Sequence, residues 1–265
     1  PPELRENRGE IEAAMEGRLP KLIELGEVKG DLHVHSSWTD GTASIEEMAI
    51  AARNRGYQYI AICDHSKSLG VARGLCEEDL FRQIEAIKEL NGRLEGIRVL
   101  TGIEVDIKKD GSLDYPDSIL SQLDVVVASV HSGFRQDEDT MTGRVISALS
   151  NEHVDIFAHP TGRLLGRREG YNINLERLFE AAAARKLILE INAFPDRLDL
   201  SDVNVRKAKE MGIKFAINTD AHSPQQLEYM AFGVAVARRG WLTAEDVVNA
   251  LPFEELSFRF IKGAT

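Results

Sequence analysis

The sequence predicts an α/β protein built as a (β/α) barrel, and three observations lead there. Seven short apolar, β-branched runs recur, each followed by a polar loop and then by apolar residues at helical spacing. The runs are near-continuously hydrophobic, the pattern of parallel strands covered by helices. Seven such units in about 230 residues suit a closed barrel, with a doubly wound sheet as the lesser alternative.

Residues 1–26 carry Glu and Arg with scattered prolines and read as a helical lead-in or linker; residues 27–265 read as the barrel. The first strand is expected at 29–35 and its helix at 44–55, where Ser44 precedes Glu46 and Glu47 as a cap with first-turn acids. Gly56 stops that helix before the second strand, 57–65. Helix 77–94 leads to strand 99–107, and helix 117–123 to strand 125–131. Helix 139–151 leads to strand 154–160, and helix 175–185 to strand 187–193. Helix 202–211, stopped by Gly212, leads to the seventh strand, 214–222, and helix 224–238 follows. The tail, 241–265, is expected to add one more helix, begun by Thr243 ahead of Glu245 and Asp246, and a terminal strand.

Composition narrows the function. Of 265 residues, 43% are hydrophobic, too many and too evenly spread for a disordered chain. No apolar stretch approaches the roughly 18 residues of a membrane span, and no secretion signal is visible. Lys and Arg number 32 against 43 Asp and Glu, a net charge of −11 that argues against a broadly basic DNA-gripping surface but leaves room for a local one. Two cysteines, Cys63 and Cys76, cannot build a disulfide framework, so a cytoplasmic location is expected. The start at Pro1-Pro2, without Met, suggests a piece of a longer protein.

The histidines carry the chemistry. Of seven, six end an expected strand or sit just past one: His33, His35, His65, His131, His159 and His222. In a barrel the C-terminal strand ends converge on one face, where active sites form. Asp40, Asp64, Glu104 and Asp220 join them. His33 and His35 stand two apart, so their rings share a side; Asp220 and His222 repeat that spacing on the last strand, which closure brings beside the first. Such a buried set of imidazoles and carboxylates is satisfied by divalent metals. Asp64 alternates away from His65 and reads as a supporting residue, Cys63 reads as core, and His153, at a helix end, receives no role.

Read as motifs, Gly30-Asp31-Leu32-His33-Val34-His35, Asp40-Gly41, Asp64-His65, Gly102-Ile103-Glu104, Val130-His131, Ala158-His159-Pro160 and Thr219-Asp220-Ala221-His222 resemble, in order, those of the PHP (polymerase and histidinol phosphatase) family. The resemblance implies a distorted barrel of seven βα units and three divalent metals, Mn²⁺ or Zn²⁺ or Fe²⁺. By the matching motifs, His33, His35, Glu104 and Asp220 would hold the first metal. Glu104 would bridge to the second with His131 and His159, and Asp40, His65 and His222 would hold the third. Glu104, Asp220 and His222 are the candidate catalytic residues.

Within the family, the lead-in, the stretch 33–41 and the loops 64–75 and 159–171 look like those of the C-terminal PHP domain of bacterial and archaeal family X DNA polymerases. Thr39 stands where Ser is usual, and Ser36-Ser37 where Thr is common. That likeness implies a phosphoesterase acting on DNA 3′ ends, single-stranded or gapped: a 3′→5′ exonuclease of DNA repair, with 3′-phosphatase or abasic-site cleavage alongside, and a polymerase domain upstream. Lys67, Arg73, Arg135, Arg163, Arg167, Arg168 and Arg197 are the candidate phosphate-binding cations, diluted on the same rim by Asp137, Glu138, Asp196 and Asp199. A free-standing histidinol-phosphate type phosphatase is the alternative. A ligand-free structural module is disfavoured by the complete ligand set, and an amidohydrolase by Glu104 where a bridging lysine would stand.

Overall fold

A computed structural model describes residues 1–260 of the chain. Seven parallel strands form one sheet in sequence order: β1 (Gly30–Val34), β2 (Tyr59–Ile62), β3 (Arg98–Asp106), β4 (Val125–Ser129), β5 (Ile156–Phe157), β6 (Ile188–Asn192) and β7 (Lys214–Asn218). Around them lie α1 (Glu10–Met15), α2 (Ile45–Asn54), α3 (Glu77–Asn91), α4 (Asp117–Leu120), α5 (Glu138–Leu149), α6 (Leu175–Arg185), α7 (Asp202–Glu210), α8 (Met230–Arg239) and α9 (Phe253–Phe260). Among the described residues no helix is long and apolar enough to cross a membrane.

Local chemistry sets these elements. Ser44 and Glu47 form a reciprocal capping box at the start of α2, and the side chains of Asp137, Asn174 and Ser201 cap α5, α6 and α7. Leu32, Tyr59, Leu100, Val127, Ile156, Ile188 and Ala216 fill the barrel interior, while a larger apolar layer joins the strands to the helices. Each buried Leu, Ile or Val contributes about 1.5–3 kcal/mol.

Closure between β1 and β7 uses few ladder bonds. Val34 bridges Ala221, the His35 amide donates to the Ala221 carbonyl at 2.8 Å, and the Asp220 amide donates to His33 at 3.0 Å. Below these, two amide side chains substitute for the ladder. Asn249, fully buried, donates to the carbonyls of Gly30 (2.8 Å) and Ile217 (2.6 Å) and accepts from the Ile217 amide (3.0 Å). Asn218 accepts from the Leu32 amide at 3.1 Å.

Several expectations need correction. Strand 154–160 shrinks to two residues because His159, at φ +29°, has already left the extended path. Helix 117–123 ends at Leu120. Helix 224–238 begins as a 3-10 turn, Pro224–Tyr229, before α8. Thr243 opens only a 3-10 turn, Ala244–Asp246, because Val247 turns extended to bridge Phe215 beside the sheet. α9 occupies 253–260, where Pro252, Glu254 and Glu255 favour a helix start, so no terminal strand forms there; residues 261–265 lie outside the described residues. The lead-in packs on the barrel: Leu4, Ala13 and Leu22 cluster with Trp241, and Arg238 donates to Glu3 at 2.6 Å.

Candidate metal centre

Each histidine of the six reaches the centre from a strand end or the loop just past it, and Glu104 stands at their middle. From β3 its Oε2 faces His33 Nε2 (3.5 Å), His35 Nε2 (3.7 Å) and His65 Nδ1 (2.8 Å). Its Oε1 faces His159 Nε2 (3.0 Å) and His131 Nε2 (3.3 Å). Asp220 Oδ1 approaches His35 Nε2 at 3.0 Å and His33 Nε2 at 3.8 Å, and the two Nε2 atoms are 3.2 Å apart. Asp40 Oδ2 lies 3.4 Å from Nε2 of both His65 and His222. Oxygen and nitrogen ligands sharing one tetrahedral ion at bonds of about 2.1 Å stand roughly 3.4 Å apart, so these spacings suit coordination.

The geometry groups the ligands a little differently from the family pattern. His33, His35 and Asp220 converge as one set, and His65, Glu104 and His131 as another. His35 also joins Asp40, His65 and His222, since its ring stacks on His222 at 4.1 Å. Fit to metal shows in the polar atoms. Nδ1 of His35 is buried without a hydrogen-bond partner and lies 3.9 Å from Asp40.

Electrostatics agree. Burial works against charge on Glu104, but His131, His65 and His33 outweigh it and hold the carboxyl well below the usual range. Asp220 is held down likewise, chiefly by His33 and His35 against its burial. Burial also opposes a proton on His33, yet Glu190, Asp220 and Glu104 hold that ring well above the usual imidazole range. Against burial again, Glu104 and Asp40 carry His65 up to about 10. Burial with His222 and His65 drives His35 down to about 3. The carboxylates draw positive charge onto the cluster, the charge that divalent cations bring.

A supporting layer fixes the rings, and the sequence reading missed its main member. Glu190, fully buried on β6, accepts from His33 Nδ1–H at 2.8 Å and from the His159 amide at 2.8 Å. Asn192 and Asn218 donate to it at 3.1 and 3.0 Å. The signal was present: an acid and an amide alternate within an otherwise apolar strand, Ile188-Leu189-Glu190-Ile191-Asn192. Asp106, also missed, accepts from the His131 amide at 3.1 Å. Asp64 accepts from Ser36, Thr39 and Gln83 and takes no place among the ligands. Cys63 is buried in the barrel interior, and His153 precedes β5, at the end of that strand opposite His159.

The basic residues separate clearly. A cavity of about 330 Å³ opens over the centre, and Arg168 and Arg197 line it with Asp40, His65, His131 and His222. Arg197 Nε stands 3.6 Å from Asp220 Oδ2. Arg163 braces the next loop, donating to the carbonyls of Arg197 (2.9 Å) and Leu198. Arg167 pairs with Asp196, Lys67 with Glu77, and Arg73 donates to the Thr39 carbonyl. Arg135 is exposed beyond the cavity lining.

Comparison with known proteins places this geometry. A family model described as PHP domain matches residues 31–194. The chain is 49% identical over 256 residues to "DNA polymerase/3'-5' exonuclease PolX" of Bacillus subtilis (strain 168), covering 97% of this chain and 45% of that relative. The chain thus spans less than half of that relative's length. A "probable phosphatase" of Thermoanaerobacter sp. (strain X514) is 31% identical over 230 residues, 83% of this chain and 89% of that one. The crystal structure of histidinol phosphate phosphatase from Lactococcus lactis, with Zn, L-histidinol and phosphate, superposes with a TM-score of 0.57 at 17% identity, over 79% of this chain and 94% of that one. At that identity it speaks for the fold alone.

Proposed function

Because the chain belongs to the PHP family of metal-dependent phosphoesterases, we propose that its centre hydrolyses phosphodiesters at DNA 3′ ends, as the PHP domain of a family X DNA polymerase engaged in repair. The observation that carries this reading is the 49% identity that runs through 97% of the chain to a relative named as a polymerase and 3′-5′ exonuclease. We assign three divalent ions, Mn²⁺, Zn²⁺ or Fe²⁺, to the sets His33–His35–Glu104–Asp220, Glu104–His131–His159 and Asp40–His65–His222. A divalent cation held there polarises phosphoryl oxygens and makes water acidic at neutral pH.

The chain's own residues bind, aim and move protons. Arg197 on the cavity wall takes phosphate oxygens by charge-assisted hydrogen bonds. Glu190 holds the proton of His33 on Nδ1, which leaves Nε2 free to ligate. His222 donates from Nδ1 to the Asp220 carbonyl at 2.8 Å, so its Nε2 faces Asp40 and the cavity. That leaves Nε2 of the most exposed imidazole of the six free to ligate, and the leaving oxygen takes the proton that the attacking water gives up. Water adds to phosphorus, and the bond to the 3′ oxygen of the preceding nucleotide breaks, releasing a 5′-mononucleotide. The same centre would take a terminal 3′-phosphate or an abasic end.

A paired assay tests the reading. With added Mn²⁺, a 5′-labelled oligonucleotide is expected to shorten from its 3′ end, and Glu104→Ala, which removes the shared ligand, to abolish it. Phosphate release from histidinol phosphate with the oligonucleotide intact would overturn it in favour of a small-molecule phosphatase.

A further inference from the structure

The cavity over the centre is not the wholly polar bowl that a phosphate requires. Its lining carries Leu69 and Val71 from the loop after β2, and Phe134 and Leu164 from the loops after β4 and β5. Val71, in the 3-10 turn Gly70–Ala72, is 94% exposed. A loop free to rearrange would bury it, but this one is pinned. Tyr115 donates to the Leu75 carbonyl at 2.5 Å, the Ser68 amide to Asp114 at 2.7 Å, and Arg73 to the Thr39 carbonyl. Gly74 lies so close to Ser66 that a Cβ would stand 1.9 Å from the Ser66 carbonyl oxygen. On the loop after β4, Phe134 stacks on Tyr171 at 6.1 Å and 17°, and the Arg168 guanidinium covers it at 4.1 Å. Arg168 is tied by Nε and Nη2 to the Gly162 carbonyl, so its plane is set as well.

We propose that these apolar and stacked side chains form a nucleobase subsite. It takes the unpaired base of the terminal nucleotide while that nucleotide's phosphate sits at the imidazole–carboxylate centre. This rests on the reading of that centre as a phosphoesterase of DNA ends. A base offers two apolar π faces and a polar edge, matching fixed aliphatic side chains and an aromatic–guanidinium stack. At about 330 Å³ the cavity lies at the small end of ligand sites, fit for one nucleotide rather than a base pair.

The test compares two single-stranded oligonucleotides, identical except that the 3′-terminal residue carries either adenine or an abasic tetrahydrofuran. Each has a 5′ dye for anisotropy and a terminal phosphorothioate linkage to slow cleavage, and binding is measured with Mn²⁺ present. Stacking one base is worth about 5- to 150-fold in affinity. The adenine strand is expected to bind at least ten-fold tighter, and Val71→Asp and Leu164→Ser each to cut that preference below three-fold. Melting by circular dichroism checks that the variants stay folded. Equal binding of the two strands, or a preference untouched by both variants, overturns the subsite and leaves the apolar rim to some other contact. In that case shortening of an unmodified strand in Mn²⁺ still upholds the reading of the centre. If neither strand binds or is shortened, that reading falls and the subsite with it.

Discussion

Glu190 does at the scale of one residue what no ligand does alone: it sets the tautomer of His33 and, through the His159 amide, the position of a second candidate ligand. Glu190→Gln keeps the shape but replaces one acceptor oxygen by an NH₂ that confronts N–H donors. Metal affinity is expected to fall about 10- to 100-fold, read by competition with a chelating dye, with the fold retained. Two candidate ligands, His159 (φ +29°) and Asp220 (φ +54°), hold left-handed backbone that costs about 1–3 kcal/mol each, a strain the packed strand ends impose. The arginines divide by position. Arg197→Ala, on the cavity wall, should lower kcat/KM on an oligonucleotide by 10-fold or more, whereas Arg167→Ala, paired with Asp196 outside it, should stay within about three-fold. Steady-state kinetics on the two variants side by side separates the roles. The six strand-end histidines were legible in the sequence because strand ends are marked by where apolar runs stop. Glu190 was not singled out, because one acid inside an apolar run looks the same whether it faces the barrel axis or a helix. Nor could spacing tell Arg168 from Arg167, since which of two neighbours turns inward is decided by the loop's own hydrogen bonds.

Elements place these side chains through a few internal clips. Arg144 on α5, nearly fully buried, donates to the carbonyls of Lys108 (2.8 Å), Ser132 (2.8 Å) and Ile107 and to Gln136 Oε1 (3.0 Å). It ties the loop after β3 to the loop that carries Phe134. Arg144→Met fills the space but leaves those acceptors unpaired, and a loss of about 2–4 kcal/mol is expected, read as a lowered urea midpoint. The starts of the capped helices, such as α2, could be read to within a residue, because groups like Ser44 and Glu47 act locally. The helix begun at Thr243 failed where a distant partner decides, since Val247 leaves the helical path for Phe215. Alternation and count gave the barrel; in its tail the long-range bridge of Val247 was not encoded locally, whereas the start of α9 after Pro252 was.

For the whole molecule, the candidate ligands straddle the join between first and last strands. His33 and His35 come from the β1 side, Asp220 and His222 from the β7 side, and the intervening strands supply the rest. Cations held there tie the two sides together, and because they bind the folded state alone they stabilise it by mass action. Removing metal with EDTA is expected to lower Tm by several degrees, with Mn²⁺ restoring it. A Tm indifferent to chelation would count against metal occupancy of the centre.

The reliance of that join on Asn249 and Asn218 has a kinetic consequence. Pairs such as β3–β4 and β6–β7 exchange five-residue ladders of backbone bonds, whereas here side-chain amides replace several of them. The barrel therefore has a built-in seam, the place where its wall would part first in breathing motions. Amide hydrogens of Leu32 and Ile217 should trade for deuterium sooner than that of Val127 on β4, across the barrel from the seam. Metal would act as a rivet across that seam, slowing the exchange there and leaving the far wall unchanged.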